Sequence, residues 1–126
     1  MKISVDGKEY DLLVTSIKRK ATIKDGKNTT STLSGIYKRD VVGTYYDYTL
    51  DVSRKDSAQY DAFYEVITAP QNEPHTVTLP YGQKTMTFKA YIQTSDDELK
   101  AQTPTESRWG ELSVNFKAVE PQRRPI

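Results

Sequence analysis

Apolar and polar residues alternate along most of the chain, which is typical of strands that bury one face. The first two alternating segments, 2–5 and 9–14, flank Asp6-Gly7, a dipeptide that favours the positive φ angles of a type I′ turn. The sequence therefore predicts an opening hairpin. The adjacent Leu12 and Leu13 interrupt the alternation, so we expect a bulge or a change of face there.

Four longer segments continue the alternation and supply the rows of a predicted core. In the first of them, 15–25, the face opposite the apolar row carries three lysines, here called the basic row: Lys18, Lys20 and Lys24. In the second, the intervening Asp47, Thr49 and Asp51 are predicted to face water. The apolar rows are Ile17, Ala21 and Ile23; Val42, Thr44, Tyr46, Tyr48, Leu50 and Val52; Met86, Phe88, Ala90 and Ile92; and Leu112, Val114, Phe116 and Ala118.

One segment changes to helical spacing and predicts an amphipathic helix over about residues 57–68. Its apolar residues recur every three or four positions. Asp56 and Gln59 have the form of a capping box at its start, and Pro70 ends it. A strand begins again at His75. The apolar stripe of the helix consists of Tyr60, Phe63, Val66 and Ile67.

These periodicities together predict the fold class. A single helix with one apolar face must pack on a sheet. We therefore expect one domain, residues 1–126, that is mainly β: an antiparallel β-sandwich or a partly open barrel with one α-helix packed on it.

Two polar segments read as long loops, 26–35 and 94–108, and both exceed the usual hairpin connection of ~2–5 residues. The C-terminal residues 120–126 hold two prolines and two arginines, which predicts an extended arm that leaves the last strand. All three segments are too polar to become ordered by burial alone. We therefore expect them to contact neighbouring copies or partner proteins.

Composition limits the compartment and the partners. A chain of 126 residues can bury a core without metals, and the absence of cysteine excludes disulfides and thiolate metal sites. The sequence has no apolar run long enough to cross a bilayer, and its start lacks the apolar centre of a signal peptide. We therefore expect synthesis in a cytoplasm and no membrane partner. The net charge of +1 gives no reason to expect specific nucleic-acid binding.

Charge is nevertheless uneven along the chain. Residues 1–40 hold nine basic and five acidic side chains, whereas residues 41–100 hold five basic and nine acidic ones. Opposite charges in one small domain can simply pair within the molecule. They can also form a head-to-tail contact between copies, since such an interface needs two different, complementary surfaces.

The residues that could support catalysis or metal binding do not form a recognisable site. His75 is the single histidine, and its place at a strand start suggests a surface or cross-strand role. Asp96, Asp97 and Glu98 lack the ligand spacing and the tight-turn glycine of a calcium loop. The Gly-containing segment 26–35 lacks the ending of a phosphate-binding loop. We therefore expect no enzymatic activity, no cofactor and no metal.

The chain contains nine tyrosines, three of them close together at Tyr45, Tyr46 and Tyr48. Aromatic side chains pack in cores and at their rims, and they also anchor protein interfaces because they combine an apolar ring with a polar tip. On an exposed sheet they can instead stack on sugars or bases. The sequence leaves these roles open.

Four blocks resemble small structural proteins from bacteriophages and prophages of Gram-positive bacteria. They are IYKRDVVGTYYDYTLDV (36–52), YDAFYEVITAP (60–70), HTVTLPYGQKTMTFKAYI (75–92) and WGELSVNFKAVEPQR (109–123). The resemblance covers roughly residues 2–124 and carries no catalytic motif. It implies a tail or tail-connector protein similar to tail-tube and distal-tail modules, which are β-sandwiches or barrels with a flanking helix that form rings, usually hexameric. This chain is short beside tail-tube proteins, which often have longer loops or additional domains.

Two functional hypotheses follow. The first is a virion structural protein of the tail (tail-tube, distal-tail or tail-tip component) that acts by self-assembly, is made in the host cytoplasm and contacts copies of itself and adjacent tail proteins. The second is a monomeric β-sandwich module that binds a host-surface glycan or another phage protein. The predicted interface residues are Lys18, Lys20, Lys24, Asp96, Asp97, Arg123 and Arg124.

Overall fold

The computed structural model describes residues 2–27, 29–31, 33–53 and 57–125. The protein is mainly β, with 65% of the described residues in strands and one helix among them. The elements are β1 (Lys2–Val5), β2 (Lys8–Asp11), β3 (Leu13–Asp25), β4 (Thr30–Ser31), β5 (Tyr37–Lys38), β6 (Val41–Ser53), α1 (Ser57–Ile67), β7 (His75–Tyr81), β8 (Lys84–Gln102) and β9 (Ser107–Ala118).

Seven strands form one antiparallel sheet in the order β2-β1-β7-β8-β9-β6-β3. The two edge strands, β2 and β3, follow each other in the chain with only Leu12 between them. Consecutive Cα atoms are about 3.8 Å apart, so the two edges lie within about 8 Å of each other at this point. The sheet must therefore curl on itself, which confirms the predicted sandwich or partly open barrel with one helix.

The opening hairpin has the predicted turn, because Asp6 and Gly7 have φ angles of 53° and 84°. At the predicted change of face, Leu12 is buried while Leu13 is exposed. A bulge follows between Val14 and Ser16. One residue thus carries the chain from one edge of the sheet to the other.

The inside of the curl is the hydrophobic core, and it contains the predicted rows of β8 and β9. The predicted row of β6 reaches it from Tyr46 to Val52, whereas Val42 and Thr44 lie outside it. On β3 the row reaches the core only at Ile17, whereas Ala21 and Ile23 lie beyond it and are exposed. The largest fully buried side chains are Tyr48, Tyr60, Phe63, Phe116, Ile3, Leu12, Leu50, Leu79, Leu112, Val5, Val52 and Val77.

The helix α1 packs where the two edges approach. Its Phe63 is fully buried, with the Tyr10 ring of β2 in an edge-to-face arrangement at 5.6 Å. The Asp11 backbone N–H donates to Gln59 Oε1 at 3.4 Å, so Gln59 contacts the edge strand. Asp56, the other member of the predicted capping box, lies outside the described residues.

The segment 94–108 is not a long loop, which corrects the prediction. β8 continues to Gln102 and β9 begins at Ser107, so four residues connect them. The pairing between β6 and β9 ends at Val52 and Leu112, and β9 extends five residues further, about 17 Å at ~3.3 Å per residue. Residues 95–111 therefore form a two-stranded projection, here called the acidic ribbon. Polar side chains on both of its faces concealed it from the alternation analysis.

The other long hairpin, β3–β6, extends in the opposite direction. Antiparallel pairing places its tip, Asp25 and Val41, at the far end of the sheet from the acidic ribbon. Within its connection, β4 pairs with β5 to form a small second sheet. The predicted loop 26–35 is therefore partly ordered by local strand pairing.

His75 is buried, with only 3% of the residue exposed, so the surface role is wrong, whereas its contact with Asp6 at the end of the neighbouring strand β1 confirms the cross-strand role. Its Nδ1 lies 2.7 Å from Asp6 Oδ2, and Asp6 Oδ1 accepts the Thr76 backbone N–H at 2.9 Å. Partial burial alone would raise the pKa of Asp6, but the hydrogen bonds from His75 and Thr76 outweigh burial and lower it. Asp6 thus joins the first hairpin to β7 in its ionised form.

The Asp6 contact predicts a loss of stability in acid. Because the folded state lowers the pKa of Asp6, its contribution is complete above the unfolded value of about 4 and is lost as pH falls through the lower folded value. Asp6→Asn, which tolerates the same positive φ, should lower the unfolding free energy at pH 7 by about 1 kcal/mol and flatten the acid dependence. Urea unfolding between pH 7 and pH 3, with Asp51→Asn as the control, measures this. An unchanged acid dependence in Asp6→Asn would contradict it.

Candidate assembly surfaces

The basic row lies on the outer face of β3, as predicted. Lys18 pairs in register with Thr49 and Lys20 with Asp47, and all three lysines are exposed. Lys24 Nζ lies 5.7 Å from the centroid of the Tyr45 ring. No ion pair within 4 Å joins any of the three lysines to a described acidic residue, so their charges remain available to a partner.

β3 itself is a thirteen-residue edge strand that pairs with β6 on one side. Open strand edges pair readily with other chains, and lysines are one way in which proteins restrict such pairing. The basic row can therefore act either as protection for this edge or as a contact surface.

The C-terminal segment does not leave the last strand directly, which corrects the first half of the predicted arm. Pro121 is buried, and Arg123 forms an antiparallel bridge with Thr44 of β6. The Gln122 side chain binds the backbone of Tyr46 at both its N–H (3.0 Å) and its carbonyl (2.9 Å). Residues 121–123 thus continue the sheet beyond β9. Arg124 and Pro125 are exposed.

The predicted arginines have different surroundings. The Arg123 guanidinium lies beside the Tyr46 hydroxyl, and Arg124 forms an exposed ion pair with Glu120 at 3.6 Å. An exposed pair of this kind is worth only about 0–1 kcal/mol, so Arg124 can exchange Glu120 for another partner at little cost.

Two tyrosine hydroxyls meet near Arg123. Tyr46 and Tyr81 lie 3.1 Å apart, and the Arg19 guanidinium stands 5.3 Å from the centroid of the Tyr81 ring. The hydrogen bond between the two hydroxyls and the nearby Arg123 lower the pKa of Tyr46, whereas the same hydrogen bond raises the pKa of Tyr81. Sequence reasoning did not identify this cluster because its members come from four separate segments.

The predicted acidic residues lie at the opposite end, on the acidic ribbon. Asp96 is exposed and pairs in register with Ser113, and Asp97 accepts a hydrogen bond from the Tyr60 hydroxyl at 2.9 Å. Burial and this hydrogen bond raise the pKa of Tyr60 well above its usual range, so the phenol stays a neutral donor. The structure thus places Asp96 and Asp97 at one end of the sheet and Arg123 and Arg124 at the other. The basic row runs along β3 between them, from Lys18, opposite Thr49, towards the basic end at Lys24.

The ribbon also exposes large apolar side chains that sequence reasoning did not select. Leu99 and Trp109 are directly opposite each other and are 40% and 42% exposed. On the same ribbon, Lys100 Nζ binds Glu111 at 2.8 Å and Glu98 at 3.5 Å. Apolar residues beside charged ones on a projection are typical of a protein-binding surface.

The two ends differ in charge. The acidic ribbon holds five acidic residues and two basic ones. The opposite end, here called the basic end and consisting of residues 19–43 and 119–125, holds eight basic residues and three acidic ones. The uneven charge along the sequence therefore becomes a polarity along the molecule.

Two kinds of feature are absent from the described residues, 2–27, 29–31, 33–53 and 57–125. No group of three or more potential metal ligands occurs among those residues. In the same part of the chain, no helix is long and apolar enough to span a membrane.

Comparison with known proteins gives no assignment, since neither a protein-family model nor a curated protein matches the chain. The fold and surfaces define a small, mainly β domain with a curled sheet, one packed helix and two projecting hairpins of opposite charge.

Docking of the C-terminal segment requires glycine at position 43. A Cβ there would lie 2.5 Å from the Arg123 carbonyl oxygen and 2.6 Å from Pro121 Cβ. We expect Gly43→Ala to displace residues 121–123, accelerate amide exchange at Thr44 and Tyr46 at least tenfold, and cost about 1–3 kcal/mol of stability.

Gly110→Ala is the matched control, because the Cβ it adds would meet only Lys100 Cγ at an ordinary 3.5 Å. Hydrogen exchange followed by NMR separates the two variants. Unchanged exchange at Thr44 in Gly43→Ala would show that the C-terminal segment is not held by β6.

Proposed function

We propose that the protein is a virion structural protein of a bacteriophage or prophage tail, and that its activity is self-assembly and protein–protein contact rather than catalysis. The observation that carries this proposal is the placement of oppositely charged hairpins at opposite ends of one small domain. Such a molecule presents two different, complementary surfaces, which is the requirement for a head-to-tail interface. The sequence resemblance to tail proteins supports the same function.

The acidic ribbon supplies the chemistry of one surface. It combines acidic side chains with the exposed Leu99 and Trp109, so a partner gains both electrostatic attraction and apolar burial. The basic end supplies the other surface through Arg123, Arg124 and the tip of the β3–β6 hairpin. Contacts between unlike surfaces generate rings when the rotation closes and filaments when it does not.

The outer face of β3 offers a second route of contact, from the side of the domain. Its basic row has no close acidic partner among the described residues, and its strand edge is open. Asp47, which was expected to face water, instead accepts the Ala118 backbone N–H at 2.9 Å. Asp96 and Asp51 therefore fit a neighbour's lysines better than Asp47 does.

In this proposal the protein is made in the bacterial cytoplasm and functions in the virion tail as a tail-tube, distal-tail or tail-tip component. Its partners are further copies, in a ring that the resemblance suggests is hexameric, and adjacent tail proteins. It needs no membrane, cofactor or specific nucleic acid.

The alternative is a monomeric module that binds a glycan through tyrosines. One observation favours it, since Tyr37 and Tyr91 are exposed. However, Tyr46 and Tyr48, two members of the tyrosine-rich segment, are buried in the core, and the Tyr48 hydroxyl donates to the Pro80 carbonyl at 2.9 Å. Those two rings cannot stack on a sugar, so self-assembly is the better supported function.

Charge reversal of the basic row tests the proposal. We expect the triple variant Lys18→Glu, Lys20→Glu and Lys24→Glu to assemble about tenfold more slowly at low salt and nearly normally close to 1 M salt, where charges are screened beyond about 3 Å. Glutamate is charged and still restricts pairing at an open strand edge. The variant therefore differs from the parent mainly in the sign of the charge on this face. Light scattering gives the rate, and negative-stain images show whether rings or tubes form.

The control carries the same charge change at Lys2, Lys8 and Lys84, which lie on β1, β2 and β8. It should assemble at the parent's rate. A parent protein that stays monomeric at every concentration and binds glycans would contradict self-assembly. Equal low-salt rates for the parent and the basic-row variant would restrict the lysines to an edge-protecting role.

A further inference from the structure

A pocket with a volume of about 250 Å³ opens between α1 and the acidic ribbon. Ligand sites for drug-sized molecules are larger, ~300–1,000 Å³, so this pocket is suited to a single side chain. The helix and the ribbon contribute unequally: three lining residues come from α1 and one each from β8 and β9. They are Tyr60, Asp61, Tyr64, Asp97 and Trp109.

The polar groups of the pocket are carboxylates. Asp61 and Asp97 both line it, and no described lysine, arginine or histidine lies within 4 Å of either. The Tyr60 hydroxyl donates to Asp97 Oδ2 and fixes the orientation of that carboxylate, leaving Oδ1 to accept from a ligand. The pocket thus carries negative charge that no cationic side chain among the described residues neutralises.

The walls of the pocket are aromatic. Trp109 and Tyr64 are partly exposed, while Tyr60 is buried behind them. The face of an aromatic ring attracts cations, and tryptophan does so most strongly. A planar guanidinium can stack on such a ring while its N–H groups bind a carboxylate. Rings and unpaired carboxylates in one small pocket therefore select arginine over neutral or anionic groups.

We propose that this pocket binds one arginine side chain, and that Arg124 of a second copy supplies it. The choice of occupant rests on the proposed self-assembly. Arg124 is at the basic end, opposite the acidic ribbon, with 63% of its side chain exposed. The bound segment 121–123 holds its backbone in place, so little freedom is lost on docking. Its present partner, Glu120, is an exposed ion pair and is easily replaced.

Trp109 is the single tryptophan of the chain, so its fluorescence reports occupancy of the pocket directly. When dilute protein is titrated with N-acetyl-arginine amide, Trp109 fluorescence should show a saturable change, with a dissociation constant of the order of 1 mM. N-acetyl-citrulline amide, the neutral isostere, should bind at least about tenfold more weakly. Equal binding of the two probes, or no saturable change with arginine, would overturn the pocket assignment.

Variants locate the site. Asp97→Asn and Asp61→Asn should each weaken binding of the arginine probe about tenfold, whereas Glu73→Gln, at an exposed carboxylate between α1 and β7 and outside the pocket, should leave it unchanged. Circular dichroism checks that each variant is folded. Retained arginine affinity in the double variant Asp61→Asn, Asp97→Asn would overturn the role of the carboxylates.

A second experiment tests whether Arg124 supplies the arginine. Its outcome is independent of whether the pocket binds the free arginine probe. As the protein concentration is raised, Trp109 fluorescence should change because copies associate. Arg124→Gln should reduce this change, whereas Arg39→Gln, at the same end of the molecule, should not. An unchanged signal in Arg124→Gln would overturn Arg124 as the occupant. If dilute protein binds arginine but never self-associates, the cation site stands, whereas the proposed function and the Arg124 contact both fall.

Discussion

The architecture depends on a chain constraint at Leu12, where a single residue joins the two edge strands of a seven-stranded sheet. A flat sheet of this order would separate its edges by about 28 Å, at roughly 4.7 Å between neighbouring strands, and one residue cannot cover that distance. The sheet therefore curls, and its concave side becomes the core. The remaining opening is covered by α1, whose Phe63 packs against Tyr10 on the edge strand.

The same constraint creates the polarity of charge. Once the curled body is complete, the strands that are longer than its core have to project from it: β3 and β6 at one end, β8 and β9 at the other. Polar and charged side chains tolerate projection into water, and the two projections carry opposite net charge. The C-terminal residues bind along β6 and so keep Arg123 and Arg124 at the basic end. In our account, head-to-tail contact between these ends follows from the fold itself.

Sequence reasoning predicted the fold where one face of a strand is buried, because the alternation in β6, β8 and β9 records the boundary between core and water. It failed on residues 94–102, where polar side chains stand on both faces of the strand and leave no alternation of apolar and polar residues. It also left open whether His75 is at the surface or in a cross-strand contact, since burial of that side chain depends on Asp6, 69 positions away. Among the predicted interface residues, Asp96 and Asp97 lie at one end of the sheet and Arg123 and Arg124 at the other, while their role in assembly stays a prediction. Trp109 and the pocket beside α1 could be found only from the tertiary arrangement of helix and ribbon.

Cross-linking of a mixture of isotopically light and heavy copies tests the head-to-tail contact most directly, because mass identifies every link that joins two molecules. The account predicts mixed-isotope links between Lys100 on the acidic ribbon and Lys27 or Lys38 at the basic end. These links should weaken at high salt. Mixed-isotope links that join only like ends, such as Lys100 to Lys100, would indicate an isologous dimer and contradict the account.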